Sequence, residues 1–304
     1  MSAPSLAVEI GRLQLQNPVM PASGCFGWGE EYAQFFDLSV LGALVGKAVT
    51  PEPRPGNVGA RLHETPAGML NAIGLQNPGV EAFLERILPR ARRHGVPLIV
   101  NVSAFRLEEY VRLVEQVGAA EGVAAVELNL SCPNVGRGGA DFCVTPAAVG
   151  ELVAACRQAT RRPLIPKLSP NTTDIVALAL AAEEAGADAV SLINTLVGMA
   201  IDVEGRRPFL GNLTGGLSGP AVKPIALRMV YEVAGAVGIP VLGIGGISDW
   251  RDAVEFLLAG ATAVQVGTAN FINPRACPEI IAGLRDWLSE CGVADVREIV
   301  GAAH

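Results

Sequence analysis

The chain has 304 residues, half of them hydrophobic, and a formal net charge of −7 at pH 7. A chain of this length can bury a large core, and its acidic balance offers no basic stripe of the kind that follows a nucleic-acid backbone. The first residues lack the basic start and apolar run of a signal peptide, and no stretch has the unbroken apolar length of a membrane span. We therefore expect a cytoplasmic protein with neither a nucleic-acid nor a membrane partner.

The cysteines and histidines argue against a metal centre. Six cysteines form no CxxC pair and fit no zinc or iron–sulfur spacing, and the three histidines lie far apart. We expect reduced thiols and no metal site. The ordinary interpretation of a free cysteine is a small buried hydrophobic residue, and we assign it to Cys156, Cys277 and Cys291.

The chain begins with an alternating segment, residues 6–17, whose turn at Gly11 predicts a short β-hairpin. Eight apolar runs of strand length follow, several of them apolar on both faces, as in buried parallel strands. They predict strands at 17–23, 42–49, 97–103, 124–130, 163–169, 187–194, 240–246 and 263–269.

Segments with helical periodicity lie between most of these strands, at 79–94, 107–118, 145–160, 172–185 and 248–259. A threonine is the expected cap of the fourth of these helices, and Ser248 the expected cap of the fifth. Eightfold strand–helix alternation predicts an α/β protein, a (β/α)8 TIM barrel that forms a single domain over residues 1–304. A doubly wound open sheet is the structural alternative.

Two long connections, residues 50–78 and 195–239, leave the carboxyl ends of predicted strands. We expect them to form long βα loops over the C-terminal face, where barrel enzymes build their sites. Polar residues and glycines recur at the same strand ends, although polar groups in apolar strands are costly unless paired or used. They are Ser23, Lys47, Asn101, Asn129, Lys167, Asn194, Thr195, Gly245, Gly246, Gly267 and Thr268.

Each of these residues has an ordinary explanation. A lone lysine is usually a solvated edge residue, and a lone asparagine usually forms a turn. Matching positions on several strands instead favour a site for a planar, carbonyl-rich ligand. Glycines after strands 7 and 8 are typical of barrels that bind a phosphate there, and flavin mononucleotide (FMN) fits this arrangement.

Cys132 follows the fourth predicted strand and precedes Pro133, with Asn129 and Asn134 nearby. Its position beyond the strand end distinguishes it from the cysteines assigned to the core. A free thiol titrates near ~8.5, so a deprotonated Cys132 could serve as a general base.

The motifs, in their order and spacing, resemble those of the class 1 dihydroorotate dehydrogenases, and within them the class 1B catalytic subunits. The resemblance extends essentially end to end. It rests on "NPVMPASGCFGWGEEY", "GKAVTPEPRPGN", "ETPAGMLNAIGLQNPG", "NLSCPNV", "NTLVGMAID", "GGLSGPAVKP", "GIGGI" and "VQVGTA".

The resemblance implies an FMN enzyme of pyrimidine biosynthesis that oxidises dihydroorotate to orotate. It implies that Cys132 takes the C5 proton while hydride passes from C6 to the flavin. The implied substrate contacts are Lys47, Asn71, Ala72, Ile73, Gly74, Leu75, Asn129, Asn134, Asn194 and Thr195. The implied FMN contacts are Ser23, Lys47, Ala48, Asn101, Asn129, Lys167, Ile193, Gly219, Gly245, Gly246, Gly267 and Thr268.

Class 1B also implies partners and an electron acceptor. Electrons would pass to NAD+ through a second subunit that carries FAD and a [2Fe–2S] cluster, in a heterotetramer of two catalytic and two electron-transfer chains, with the catalytic chains forming a homodimer. The cysteine base and the absence of a membrane-associating N-terminal extension disfavour class 2. Two cysteines depart from the pattern: Cys25, where relatives often have threonine, and Cys143, for which we expect an inert loop thiol.

Three alternatives remain at this stage. The chain could be a class 1A enzyme that reduces fumarate. It could be an FMN enzyme of the dihydropyrimidine dehydrogenase type, whose substrate has no carboxylate. It could also be a barrel that only binds a phosphorylated ligand.

Overall fold

The computed structural model describes residues 3–130 and 145–304 of the chain. The predicted hairpin is confirmed. Strand Val8–Ile10 pairs antiparallel with Leu13–Leu15, and Gly11 makes the turn with φ of 56°. A positive φ of this size is adopted far more readily by glycine than by residues with a Cβ.

Within the described residues, eight parallel strands form a nearly closed barrel, which confirms the (β/α)8 prediction over the open sheet. Strands 2 to 8 pair in chain order, the eighth returns to pair with the first, and the first and second share no ladder. A bond from Gly42 N to Val19 O, 2.9 Å long, links the start of the second strand to the first. Barrel strands 1 to 8 are Val19–Pro21, Leu44–Val45, Leu98–Val102, Val123–Asn129, Leu164–Leu168, Val190–Leu192, Val241–Ile244 and Ala263–Val266.

Helices surround the barrel at the predicted places. The predicted helix 79–94 is a continuous helical segment with a π turn at Phe83–Ile87 between α-helical turns and a 3₁₀ end at Arg92–His94. The helix Ala276–Glu290 was not predicted. The longer α-helices are Leu107–Ala119, Pro146–Ala159, Ile175–Glu184, Lys223–Ala234, Trp250–Leu258 and Ala276–Glu290, with a short helix at Ala269–Ile272.

The two predicted helix caps were wrong by one or two residues. Asp174, not a threonine, caps Ile175–Glu184 and accepts from Ala177 N at 2.9 Å. Asp249, not Ser248, caps Trp250–Leu258 in a capping box with Asp252. A carboxylate is a stronger acceptor for the free N–H groups of the first turn than a hydroxyl, and negative charge also suits the helix dipole.

The cap at Asp249 gives a direct test of local stability. Replacing Asp249 with alanine should lower the free energy of unfolding by about 1 kcal/mol, because the N–H groups of Arg251 and Asp252 lose their acceptor. Ser248→Ala is the matched control, and it should change stability by less than about 0.5 kcal/mol. Urea unfolding of both variants measures the difference. A larger loss in the serine variant would contradict the assignment of the cap.

The barrel strands are buried on both faces. Every residue of strands Leu98–Val102 and Leu164–Leu168 is buried. The helix Leu107–Ala119 buries Tyr110, Leu113 and Val117 and packs on strands Leu98–Val102 and Val123–Asn129. No helix among the described residues combines the length and the hydropathy needed to cross a bilayer.

The two long connections fold together into a four-stranded antiparallel sheet, which we call the cover sheet. Its strands are Leu62–Thr65, Gly68–Asn71, Leu196–Gly198 and Gly215–Ser218. The register places Gly216 opposite Asn71, so the first connection and the second pair directly. The sequence predicts long loops here, and these strands were not predicted.

Candidate active site

A cavity of about 610 Å³ opens among the carboxyl ends of the barrel strands and the cover sheet. Small-molecule sites commonly enclose about 300–1,000 Å³, so a cofactor and a small substrate fit this size range. The position agrees with the predicted use of the C-terminal face and its long connections.

Most of the predicted site residues meet at this cavity. Among those in the described ranges, the residues at its wall are Ser23, Lys47, Ala48, Asn71, Ile73, Gly74, Leu75, Asn101, Asn129, Lys167, Ile193, Asn194, Thr195, Gly219, Gly245, Gly246, Gly267 and Thr268. They come from all eight strand ends and from the cover sheet. Cys132, Asn134 and Cys143 lie outside the described residues.

Ala72 is the predicted contact in the described ranges that does not line the cavity. It is buried with Leu70 and Leu210 in a small separate cluster. Its N–H donates to Arg61 O at 2.8 Å, and its carbonyl accepts from Asn57 Nδ2 at 3.0 Å. Both backbone groups are therefore already used within the protein.

Lys47 supplies a positive charge at the cavity. No carboxylate of the described residues lies within salt-bridge distance of its ammonium group. Burial lowers the pKa of Lys47, the Cys25 thiol acts in the opposite direction, and the charge of Lys167 lowers the pKa further. A partly buried cation that lacks a counter-charge in the described part of the chain is suited to bind an anionic ligand.

The lowered pKa of Lys47 predicts the pH dependence of carboxylate binding. Lys47 gives up its proton below the ordinary 10.5 of lysine, so the affinity for a carboxylate ligand should fall as pH rises through that lower pKa. The dissociation constant of orotate, the carboxylate that the motif resemblance implies, is measured from pH 6 to 10 and reports the loss. In Lys47→Arg the side chain keeps its charge over this range, so the fall in affinity caused by deprotonation at position 47 should be absent. Any effect of ionisation of the ligand itself should be the same in both proteins. Identical profiles for the two proteins would contradict the assignment.

Three asparagines bring amide groups to one region of the cavity. Asn194 Nδ2 donates to Asn129 Oδ1 at 3.4 Å, and its own Oδ1 accepts from Thr195 N at 2.8 Å. Asn71 Nδ2 donates to Gly216 O across the cover sheet at 3.3 Å. Amides both donate and accept, so this group can match the alternating N–H and C=O groups of a pyrimidine ring.

Asn171 also lines the cavity and was not predicted from the sequence. Its Nδ2 donates to Thr195 O and its Oδ1 accepts from Val197 N, both at 3.0 Å. The side chain thus ties the loop after barrel strand 5 to the loop after strand 6. The available signal was an asparagine a few residues beyond a strand that already carried Lys167.

Cys25 also lines the cavity. Burial raises the pKa of its thiol, and the charges of Lys167 and Lys47 oppose that effect. Because the net direction is upward, we expect Cys25 to stay a neutral thiol at physiological pH. It is a poor candidate for a base.

A buried carboxylate lies beneath the cavity and was also missed. Glu127, in barrel strand 4, is 0% exposed. It accepts from Asn101 Nδ2 at 2.6 Å, Gln265 Nε2 at 2.7 Å and Ser191 Oγ at 3.0 Å. Lys167 Nζ lies 3.9 Å from the same Oε1 atom that Asn101 contacts. The sequence signal was a charged residue in the middle of an apolar strand.

The residues present fit FMN. Gly245 and Gly246, at the end of barrel strand 7, have φ of 129° and 76°, conformations that favour glycine and let backbone N–H groups approach a phosphate. Asn101 Oδ1 is buried and has no partner among the described residues, so it can accept from a ligand. No group of three or more potential metal ligands occurs in the described part of the chain.

The profile of the dihydroorotate dehydrogenase family matches residues 5–288. The chain belongs to this family. Relatives named dihydroorotate dehydrogenase B (NAD(+)), catalytic subunit, support the same assignment over nearly the full length. The protein of Trichlorobacter lovleyi is 56% identical over 299 residues, 98% of each chain. That of Geobacillus kaustophilus is 56% identical over 296 residues, 97% of this chain and 95% of the relative.

The same name applies to a Bacteroides fragilis protein that is 55% identical over 297 residues, 98% of each chain. The family resemblance read from the motifs is therefore confirmed, including its class 1B character. A dihydroorotate dehydrogenase is an enzyme, so the alternative of a barrel that only binds a phosphorylated ligand is set aside.

Proposed function

We propose that this chain oxidises dihydroorotate to orotate for pyrimidine biosynthesis, as the FMN-bearing catalytic subunit of an NAD+-linked enzyme. The observation that carries the proposal is one cavity that joins a lysine without a counter-charge among the described residues to an array of asparagine amides. Dihydroorotate presents one carboxylate and a ring of alternating amide groups. Family membership supports the same reaction.

We propose that Lys47 binds the substrate carboxylate. Asn71, Asn129 and Asn194, with Asn134 beyond the described residues, would orient the ring through its N–H and C=O groups. Thr195 and the backbone from Ile73 to Leu75 would complete the substrate pocket, without Ala72, whose N–H and carbonyl groups are already bonded within the protein. Orientation of this kind lowers the barrier because the reacting atoms are held in place before the reaction begins.

Chemistry at the oriented ring needs a base on one side and a hydride acceptor on the other. We propose that the thiolate of Cys132 takes the proton from C5. Bound FMN supplies the acceptor for the hydride that leaves C6. Lys167 would place a positive charge beside the flavin, which stabilises the reduced cofactor.

The remaining predicted contacts would hold FMN. Asn101 and Lys167 belong to the barrel interior, and Gly245, Gly246 and Gly267 would bring backbone N–H groups to the phosphate. The other residues assigned to FMN are Ser23, Lys47, Ala48, Asn129, Ile193, Gly219 and Thr268, all at the cavity wall.

We further propose that electrons leave through a partner subunit carrying FAD and a [2Fe–2S] cluster and reach NAD+. The relatives' names, which specify NAD(+) and a catalytic subunit, support this route. The proposed assembly is a cytoplasmic heterotetramer built on a homodimer of catalytic chains. Exposed apolar side chains in and beside the cover sheet offer a surface for the homodimer: Val197, Met199, Ile201, Val203 and Phe209. Sedimentation velocity tests whether the homodimer forms.

Substrate and acceptor are tested by steady-state assays of the purified chain, alone and with its electron-transfer partner. Turnover of dihydroorotate with NAD+ only in the presence of the partner is the expected result. Efficient fumarate reduction by the chain alone would indicate a class 1A enzyme. Turnover of dihydrouracil without turnover of dihydroorotate would indicate a dihydropyrimidine dehydrogenase-type enzyme.

A further inference from the structure

Glu127 is a buried charge in the centre of the barrel. Its four partners come from four other strands: Asn101 from strand 3, Lys167 from strand 5, Ser191 from strand 6 and Gln265 from strand 8. A buried carboxylate is costly unless it is paired and hydrogen-bonded. Glu127 is both, and its partners connect it to the cavity above.

The two carboxylate oxygens of Glu127 face different surroundings. Oε1 contacts Asn101 and lies 3.9 Å from the Lys167 ammonium group, and both of these residues line the cavity. Oε2 accepts from Ser191 and Gln265, which are fully buried and do not line it. One oxygen therefore anchors the carboxylate in the barrel, and the other acts on the site.

An ionised carboxylate can only accept hydrogen bonds, which determines how Asn101 is turned. Asn101 must present its NH₂ group to Glu127, and this leaves its Oδ1 atom as the group available to a ligand. Oδ1 is buried without a partner among the described residues. An unpaired buried acceptor of this kind can be satisfied by an N–H group of a ligand.

We propose that Glu127 is a positioning residue for the flavin site: it fixes the Asn101 amide so that an oxygen faces the cofactor, and it holds the Lys167 charge in place. This inference rests on the proposed binding of FMN. For the contact between Asn101 and Glu127, it predicts that FMN binding needs one side chain that donates the hydrogen bond and one that accepts it, whichever position each occupies.

An exchange of the two side-chain types tests that prediction. In Asn101→Asp alone, two carboxylates would lie in hydrogen-bond contact, and like charges so close cannot both stay ionised. In the double variant Asn101→Asp, Glu127→Gln, the glutamine NH₂ donates to the carboxylate introduced at position 101, whose second oxygen still faces the ligand. The hydrogen bond between positions 101 and 127 is restored, and the two side chains again carry one negative charge.

The readout is the dissociation constant of FMN, measured at pH 8 by fluorescence quenching on protein freed of flavin. We expect Asn101→Asp to bind FMN about tenfold more weakly, roughly the effect of one lost hydrogen bond. The exchanged double variant should return to within about threefold of the wild-type constant. Wild-type affinity in the single variant, or no recovery in a folded double variant, would overturn the inference, as would a double variant that does not fold.

Ser191→Ala is the matched control, because it removes a bond to the same carboxylate from the side that does not reach the cavity. It should lower Tm and leave the FMN constant within about threefold. A loss of FMN affinity equal to that of Asn101→Asp would show a merely structural role. If the wild-type chain binds no FMN, the proposed function has failed; if it binds FMN but the exchange does not restore affinity, only this inference has failed.

Discussion

Replacement of Cys132 by serine should lower the rate of flavin reduction by dihydroorotate at pH 7 by at least about a hundredfold, while FMN stays bound. The physical reason is acidity. A thiol that titrates near ~8.5 supplies a useful fraction of thiolate at neutral pH, whereas a serine hydroxyl supplies almost none. Rapid mixing under anaerobic conditions, followed by flavin absorbance, measures the step directly.

Two other cysteines provide the controls for that experiment. The prediction that Cys291 is buried was wrong: it is exposed where the helix Ala276–Glu290 ends, and Cys291→Ser should leave the rate unchanged. Cys25 lines the cavity but has a raised thiol pKa, so Cys25→Ser should retain most of the activity. Undiminished reduction in Cys132→Ser, with loss in Cys25→Ser, would show that the base was assigned to the wrong cysteine.

The same assignment predicts the pH dependence of the wild-type rate. Reduction should accelerate as pH approaches the thiol pKa, because the thiolate fraction grows. A flat profile from about pH 6 to 9, under conditions in which chemistry limits the rate, would contradict a thiolate base.

Replacement of Lys47 by methionine should raise the dissociation constant of orotate by about tenfold to a hundredfold. This range corresponds to the loss of a hydrogen bond to a charged group, about 1.5–3 kcal/mol. Lys47 is the cavity lysine without a carboxylate partner among the described residues, whereas Lys167 lies 3.9 Å from Glu127. The charge of Lys47 is therefore available to the substrate.

A matched ligand separates charge from shape in the Lys47 experiment. Uracil has the pyrimidine ring but no carboxylate, so its weaker binding should be the same in wild type and Lys47→Met. Equilibrium titration of both ligands, followed by the flavin spectrum, gives the comparison. An equal loss of affinity for orotate and uracil would mean that the substitution disturbs the pocket and that Lys47 does not bind the carboxylate.

The barrel could be predicted from sequence because each strand is an apolar run bounded by turn residues. In buried parallel strands such as Leu98–Val102 this pattern lies within the strand's own sequence and does not depend on distant segments. The cover sheet left no such signal. Its strands Gly68–Asn71 and Gly215–Ser218 are short and rich in glycine, and they are defined by pairing across more than a hundred residues of chain.

The site was predictable to the extent that it consists of strand ends. Lys47, Asn101, Asn129 and Lys167 could be aligned with one another by counting along each strand. The interior network could not, because Glu127 bonds to Ser191 and Gln265, which lie 64 and 138 residues away in sequence. The sequence shows that a charged residue interrupts an apolar strand, but only the fold shows which hydrogen-bond donors stabilise the buried carboxylate.

We propose above that dihydroorotate delivers hydride to FMN bound in this cavity. Anaerobic mixing of the purified, FMN-loaded chain with dihydroorotate, while the flavin absorbance is recorded, tests this step directly. We expect bleaching of the yellow flavin without any partner subunit, and recovery of the colour when an electron acceptor is added. A flavin that stays oxidised in the presence of excess dihydroorotate would contradict it.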